Sequence, residues 1–304
     1  VSIYLRGDCR SDLELISKAW IATVEYLKGN LESAGATFSD AIVGFRLLQN
    51  RQALSRNYYN LGDICRFQGH FDQAQDNLNR SVEVRQQIGD QLGLVQSLYR
   101  LVEIHALMGD WKKAQSSTDR ALEISISIQQ DDFIREGHIR QKLNQLSTDQ
   151  KIDGSDLESL NPGRDGKVEN RVLWYTLLCR NAQIQGGEVS REQQREIIQL
   201  SEQFATLPTS QMLCLLTASV APHLDDPIAA KKLLEKVIDH SEIPPGAPLD
   251  MVLSARALLE AEGSEERENW EKRAMAAVEE RAQLIERAAD RRRFLKARWG
   301  RLED

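Results

Sequence analysis

Apolar residues recur along the first 130 positions in paired stretches with helical spacing, each pair hinged on a glycine. Trp20, Ile21 and Val24 share one helical face up to Leu27; Gly29-Asn30 turns the chain, and Leu31 to Leu48 forms the returning partner. The pattern repeats around Tyr58-Tyr59-Asn60-Leu61-Gly62-Asp63, Gly69, Phe71, Ala74, Leu78 and Ser81, and again around Leu98, Leu101, Gly109, Trp111, Ala114, Thr118 and Ala121. Gly29, Gly69 and Gly109 lie forty residues apart, and an alanine follows each by five. A fixed period in this range signals helical hairpins stacked in a row rather than a closed globule. Asn50 and Asp90 fall at equivalent turns between hairpins, where a short polar side chain can cap the next helix. Residues 1–10 show no clear period and read as the tail of a preceding helix, with Ser11 and Glu14 forming a capping box for the next.

Tyr58, the Leu61-Gly62 pair and Ala74 carry a family pattern, with small Ser81 where a further alanine belongs. The third copy keeps Leu98, Leu101, Gly109, Ala114 and Ala121 but has Val102 for the second glycine; the first keeps Ile21-Ala22, Gly29, Ala34 and Ala41. Residues 12–130 resemble the tetratricopeptide repeat, whose commonest period is about 34 residues; the extra residues imply longer helices. The resemblance implies an all-α, right-handed α-solenoid of stacked antiparallel hairpins. Its first helices would line a concave groove that takes a protein or peptide partner. The groove-facing positions it implies are Trp20, Thr23 and Tyr26, then Arg56, Tyr59, Asn60, Asp63 and Arg66, then Gln96, Tyr99, Arg100 and Glu103. Tyr59 and Asp63 stand where chaperone-binding members carry a lysine and an asparagine for a C-terminal carboxylate, so that specificity is not expected.

The forty-residue phase can be followed further through Asn50, Asp90, Gln130, Asn170, Ser210, Asp250 and Asp290, each expected to precede or begin a helix. Three parts result: well-matched repeats over 1–149, an irregular connection over 150–169, and degenerate hairpins with a terminal capping helix over 170–304. Gly154, Pro162, Gly163 and Gly166 break the connection, leaving a turn or two at Ser155–Leu160. A side chain at Gly163 is therefore expected to cost less than one at the tight turn of Gly69. Met212 to Val220 reads as a helix apolar all round, and Pro227 as a first helical residue. Phe294, Leu295 and Trp299 at helical spacing suit a docked last helix, although Arg291, Arg292, Arg293, Lys296, Arg298 and Arg301 surround them.

Composition narrows the function. With 41% hydrophobic and 28% charged residues the chain can bury a core. A net charge of −7 argues against general nucleic-acid binding, and no apolar run reaches the roughly 20 residues that span a bilayer. Cys9, Cys65, Cys179 and Cys214 are scattered without a Cys-x-x-Cys pair, and His70, His105, His138, His223 and His240 are isolated. Neither a metal, a cofactor nor a catalytic constellation is expected, and Cys65 and His105 read as equivalent interior positions. The expectation is a non-catalytic interaction scaffold or regulatory segment, a cytoplasmic fragment of a larger bacterial signalling protein linked to upstream domains. The alternative is a ligand- or peptide-sensing domain controlling an attached ATPase, kinase or DNA-binding domain. A scaffold calls for an open groove, a sensor for an enclosed pocket.

Overall fold

The computed structural model describes residues 2–148, 150, 152–185, 187–202, 217–218, 221–224, 226–238 and 248–299. Fourteen α-helices and no strand occur among them. They are α1 (Ser2–Leu27), α2 (Leu31–Leu47), α3 (Arg51–Phe67), α4 (Phe71–Ile88), α5 (Gln91–Leu107), α6 (Trp111–Ser127) and α7 (Asp131–Leu146). Then follow α8 (Gly154–Ser159), α9 (Val168–Gln185), α10 (Arg191–Glu202), α11 (Pro227–Ile238), α12 (Leu249–Leu258), α13 (Glu265–Gln283) and α14 (Ala288–Trp299). Each helix from α1 to α7 packs on the next, α7 packs on α9, and α11 to α14 again pack in succession. This is the expected all-α solenoid of antiparallel hairpins.

Local chemistry sets the hairpins. Asn50 accepts from the backbone N–H of Ala53 at 3.0 Å and Asp90 from that of Gly93 at 2.9 Å, so each removes an orphan donor at the start of α3 and α5. Inside the hairpins the chain reverses through Gly29, Gly69 and Gly109, with φ of 89°, 81° and 72°. Between hairpins the left-handed residue is Gly89 once, but Gln49 and Gln129 at the equivalent turns, with φ of 54° and 56°. A side chain there strains the backbone by about 1–2 kcal/mol. Gly62 lets α3 and α4 touch: a Cβ on it would lie 2.8 Å from Cγ of Leu78 and 3.2 Å from the Ala74 carbonyl.

Several expectations need correction. Helix α1 runs unbroken from Ser2, so Ser11 lies inside it rather than at a helix start; the carboxylate of nearby Asp12 accepts from Asn50 at 2.9 Å, tying α1 to the next hairpin turn. The forty-residue phase slips beyond residue 130: Asn170 and Asp290 sit inside α9 and α14, and Asp250 is the second residue of α12. Within 150–169, α8 supplies the short helical turn expected near Ser155–Leu160 and buries Leu157, whose carbonyl accepts from the indole of Trp174 at 2.9 Å; Ile152 is buried as well. Gly163 has φ of 70°, so a side chain there is strained as at Gly69. The helix expected over Met212–Val220 falls largely outside the described residues, as does Ser210.

The C-terminal helices return to the second and third hairpins. Val278, Ala282 and Ile285, with Phe294 of α14, join one hydrophobic cluster with Phe71, Leu78, Leu98, Ile104 and Met108. Phe294 is fully buried. Asp72 accepts from the backbone N–H of Arg287 at 2.7 Å, just ahead of α14, where a carboxylate also favours the positive end of the helix dipole. Arg287 reaches Asp76 at 2.8 Å and Arg293 reaches Asp110 at 2.8 Å. Ala297 rests directly against Gly109, which has no Cβ to hold it off.

Candidate functional site

A ladder of alternating charges crosses the first helices of successive hairpins. The hydroxyl of Tyr26 on α1 donates to Asp63 on α3 at 2.7 Å. Asp63 takes Arg66 at 2.6 Å and Arg100 of α5 at 3.2 Å. Glu103 of α5 takes Arg100 at 2.9 Å, Arg66 at 3.5 Å and Arg140 of α7 at 2.8 Å. Arg140 ends the run on Glu136 at 2.7 Å. Burial alone would raise both Asp63 and Glu103, but the arginines, Arg100 foremost, hold both below the usual carboxylate range.

Beside the ladder lies a cavity of about 1030 Å³, part of it open to solvent. Leu143, Trp111, Val172 and Met251 of α12 supply much of its apolar wall. Five arginines also line it: Arg66, Arg100 and Arg140 from the ladder, Arg180 from α9 and Arg298 from α14. The last two differ from the rest. Among the described residues Arg180 has no hydrogen bond or ion pair; burial and the Arg298 charge push it down to about 10. Arg298 has only a 3.6 Å approach to Asp250, which Arg281 already occupies at 2.7 Å, and a long bond to the Leu107 carbonyl at 3.4 Å.

Ten of the twelve groove positions divide into distinct environments. Asp63, Arg66, Arg100 and Glu103 form the ladder with Tyr26, whose ring also packs on Phe67 at 5.9 Å. Arg66, Arg100 and Glu103 reach the cavity wall. Tyr99 is buried with its hydroxyl on the Phe133 carbonyl at 2.6 Å, and Arg140 stacks on its ring at 5.3 Å, so it holds adjacent hairpins together. Half-buried Tyr59 lies against the core beneath Arg85 at 5.0 Å. Trp20, Arg56 and Asn60 are grouped at a second, shallower cleft of about 390 Å³, where Trp20 is 62% exposed. The sequence does not single out Arg140, Arg180 or Glu136, and it offers Arg298 only as part of the C-terminal basic cluster. Arg100, Arg140 and Arg180 are themselves forty residues apart, which was the available signal.

The interior positions of Cys65 and His105 are buried and equivalent. Burial raises Cys65 to about 11 and lowers His105 to about 4, so both are neutral near pH 7. No group of His, Cys, Asp and Glu among the described residues is placed to hold a metal ion, and no described helix is long and apolar enough to cross a membrane.

The family model described as tetratricopeptide repeat matches residues 15–87. This segment matches the tetratricopeptide repeat. The solved TPR domain of P58(IPK) is similar at 13% identity over 95% of this chain and 98% of that one, with a TM-score of 0.21, too low to carry structural detail across. No curated protein matches. In the matched tetratricopeptide segment, the residues of the pattern do the packing they suggest: Tyr58 is buried and accepts from Arg46, Ala74 is fully buried, and Gly62 gives way to Leu78. The repeat's small position at Ser81 is polar here. Its hydroxyl donates to the Ser55 carbonyl at 2.9 Å and meets Ser97 at 3.0 Å, linking α3, α4 and α5 through one buried group.

Proposed function

We propose that the chain is a non-catalytic interaction scaffold, the regulatory segment of a larger bacterial signalling protein, that binds a peptide or protein partner along its first helices. The supporting observation is Trp20, a large aromatic left 62% exposed over the cleft it shares with Arg56 and Asn60. An exposed aromatic beside an arginine supplies rigid contact area and directed donors, the usual makings of a binding hot spot. Random peptides selected for binding to the full chain test this. Selected peptides should lose affinity for a Trp20→Ala/Arg56→Ala double variant and keep it for Arg120→Ala, whose side chain lies exposed on α6. Peptides indifferent to the double variant would refute the assignment.

A second reading, a ligand- or peptide-sensing domain, draws support from the central cavity. Its walls come from helices far apart in sequence, α3 and α5 to α7 together with α9, α12 and α14. A ligand bound there would touch both and so bias their separation.

A further inference from the structure

The cavity combines two features that seldom occur together without an occupant. Most of its wall is hydrocarbon, from residues such as Trp111, Leu143, Val172 and Met251. Set into that wall is Arg180, a guanidinium with no hydrogen bond or ion pair among the described residues. A second cation, Arg298, lines the same cavity and is held to Asp250 only at 3.6 Å. The remaining arginines are already served. Asp63, Glu103 and Glu136 neutralise Arg66, Arg100 and Arg140. An unpaired cation in an apolar setting is costly, and so is a like charge beside it. One anion placed between Arg180 and Arg298 relieves both, and a planar guanidinium offers two parallel N–H donors to an oxyanion.

We propose that the cavity binds a small amphipathic monoanion, with its carboxylate-type oxyanion on Arg180 and Arg298 and its apolar body along Trp111, Leu143 and Met251. The charge count favours a monoanion over a dianion, because only one of the five lining arginines lacks a carboxylate altogether. A mostly apolar lining with a few convergent polar groups is the usual make-up of a small-molecule site. This inference rests on the sensing reading and adds the ligand's chemical class.

Decanoate, kept below its micellar concentration, and its neutral counterpart decan-1-ol are titrated calorimetrically into the full chain. Decanoate should bind about tenfold or more tightly than decan-1-ol, the ratio expected for hydrogen bonds to a charged group. Arg180→Gln should remove that advantage and leave decan-1-ol unchanged, whereas Arg180→Lys should retain part of it. Ala106→Phe, which fills the cavity from its α5 wall, should weaken both ligands. Equal decanoate affinity in the wild type and Arg180→Gln would overturn the proposal, as would no decanoate binding at all. Equal binding of both compounds to the wild type, abolished by Ala106→Phe, would overturn the anion assignment while leaving the sensing reading intact. The wild-type comparison needs no variant, so the test survives misfolding of any of them.

Discussion

Glu103 carries more of the ladder than any other residue, and Glu103→Gln tests how far the hairpins depend on it. The substitution keeps shape and one acceptor but removes the charge that holds Arg100, Arg66 and Arg140 at 2.9, 3.5 and 2.8 Å. The Glu103 side chain is only 17% exposed and the Arg66 and Arg140 side chains 2% and 6%, so water cannot replace it well. Breaking such a buried network costs about 3–5 kcal/mol. With an unfolding entropy of about 2.1 cal/mol/K per residue, that is a fall in Tm of about 5–8 °C for a cooperatively unfolding chain of this length. Urea denaturation followed by circular dichroism, with calorimetry, measures both. The pH dependence follows from the depressed carboxyl. Its contribution is complete above the unfolded value near 4.5 and is lost as pH falls through the lower folded value. The gap between wild type and Glu103→Gln should therefore be constant from pH 8 to 5 and close in acid. Arg140→Met should cost less in the Glu103→Gln background than in the wild type. A loss below about 1 kcal/mol, the range of exposed pairs, would refute the claim that this network is buried and coupled.

Other consequences are separable. Gln129→Gly should stabilise the chain by several tenths to about 1 kcal/mol, because relief of the left-handed strain at φ 56° outweighs the added freedom of glycine when unfolded; chemical denaturation shows the sign. Phe294→Ala should cost about 3–5 kcal/mol and expose α14 to protease, whereas Arg287→Ala, whose ion pair with Asp76 is 44% and 51% exposed, should cost at most about 1 kcal/mol and less in high salt. Cys65 and Cys179, raised by burial to about 11 and about 12, should resist iodoacetamide at pH 8 until the chain is unfolded, as peptide mass spectrometry would show.

The hairpins were legible where side chains serve only their immediate neighbours. Gly69 and Ala74 can be placed because the left-handed turn and the buried alanine recur at Gly29 and Gly109 and at Ala34 and Ala114. The phase drifts after residue 130, since Asn170 there no longer caps a helix but donates from within one to the Asp132 carbonyl at 3.0 Å. The ladder was half legible. Asp63, Arg66, Arg100 and Glu103 were chosen as groove residues, yet nothing in their spacing told which charges satisfy each other and which face a ligand. Arg180 was missed for the same reason: an arginine on a helix reads as solvated until the walls around it are known. Tyr99 was assigned to the groove by its position on α5, but its ring is the filler between two hairpins. The return of Phe294 to the second and third hairpins was beyond reach, because a period reports only the next unit in the stack.

An open row of hairpins behaves as a spring, each junction free to flex without regard to the others. The seating of α14 and the residue before it on α4 and on the turn between α5 and α6 changes that mechanics. Arg287 and Asp72 are separated by 215 residues yet share a hydrogen bond, so the intervening helices form a closed loop. In a loop, a rotation at one junction has to be compensated at others, and soft independent modes become a few shared ones. Pulling on the two ends of the chain would load this clasp together with the junctions it bridges, and its release would lengthen the molecule by many hairpins in one step. The first hairpin lies upstream of the clasp residues on α4, and its junction keeps the compliance of an ordinary solenoid end.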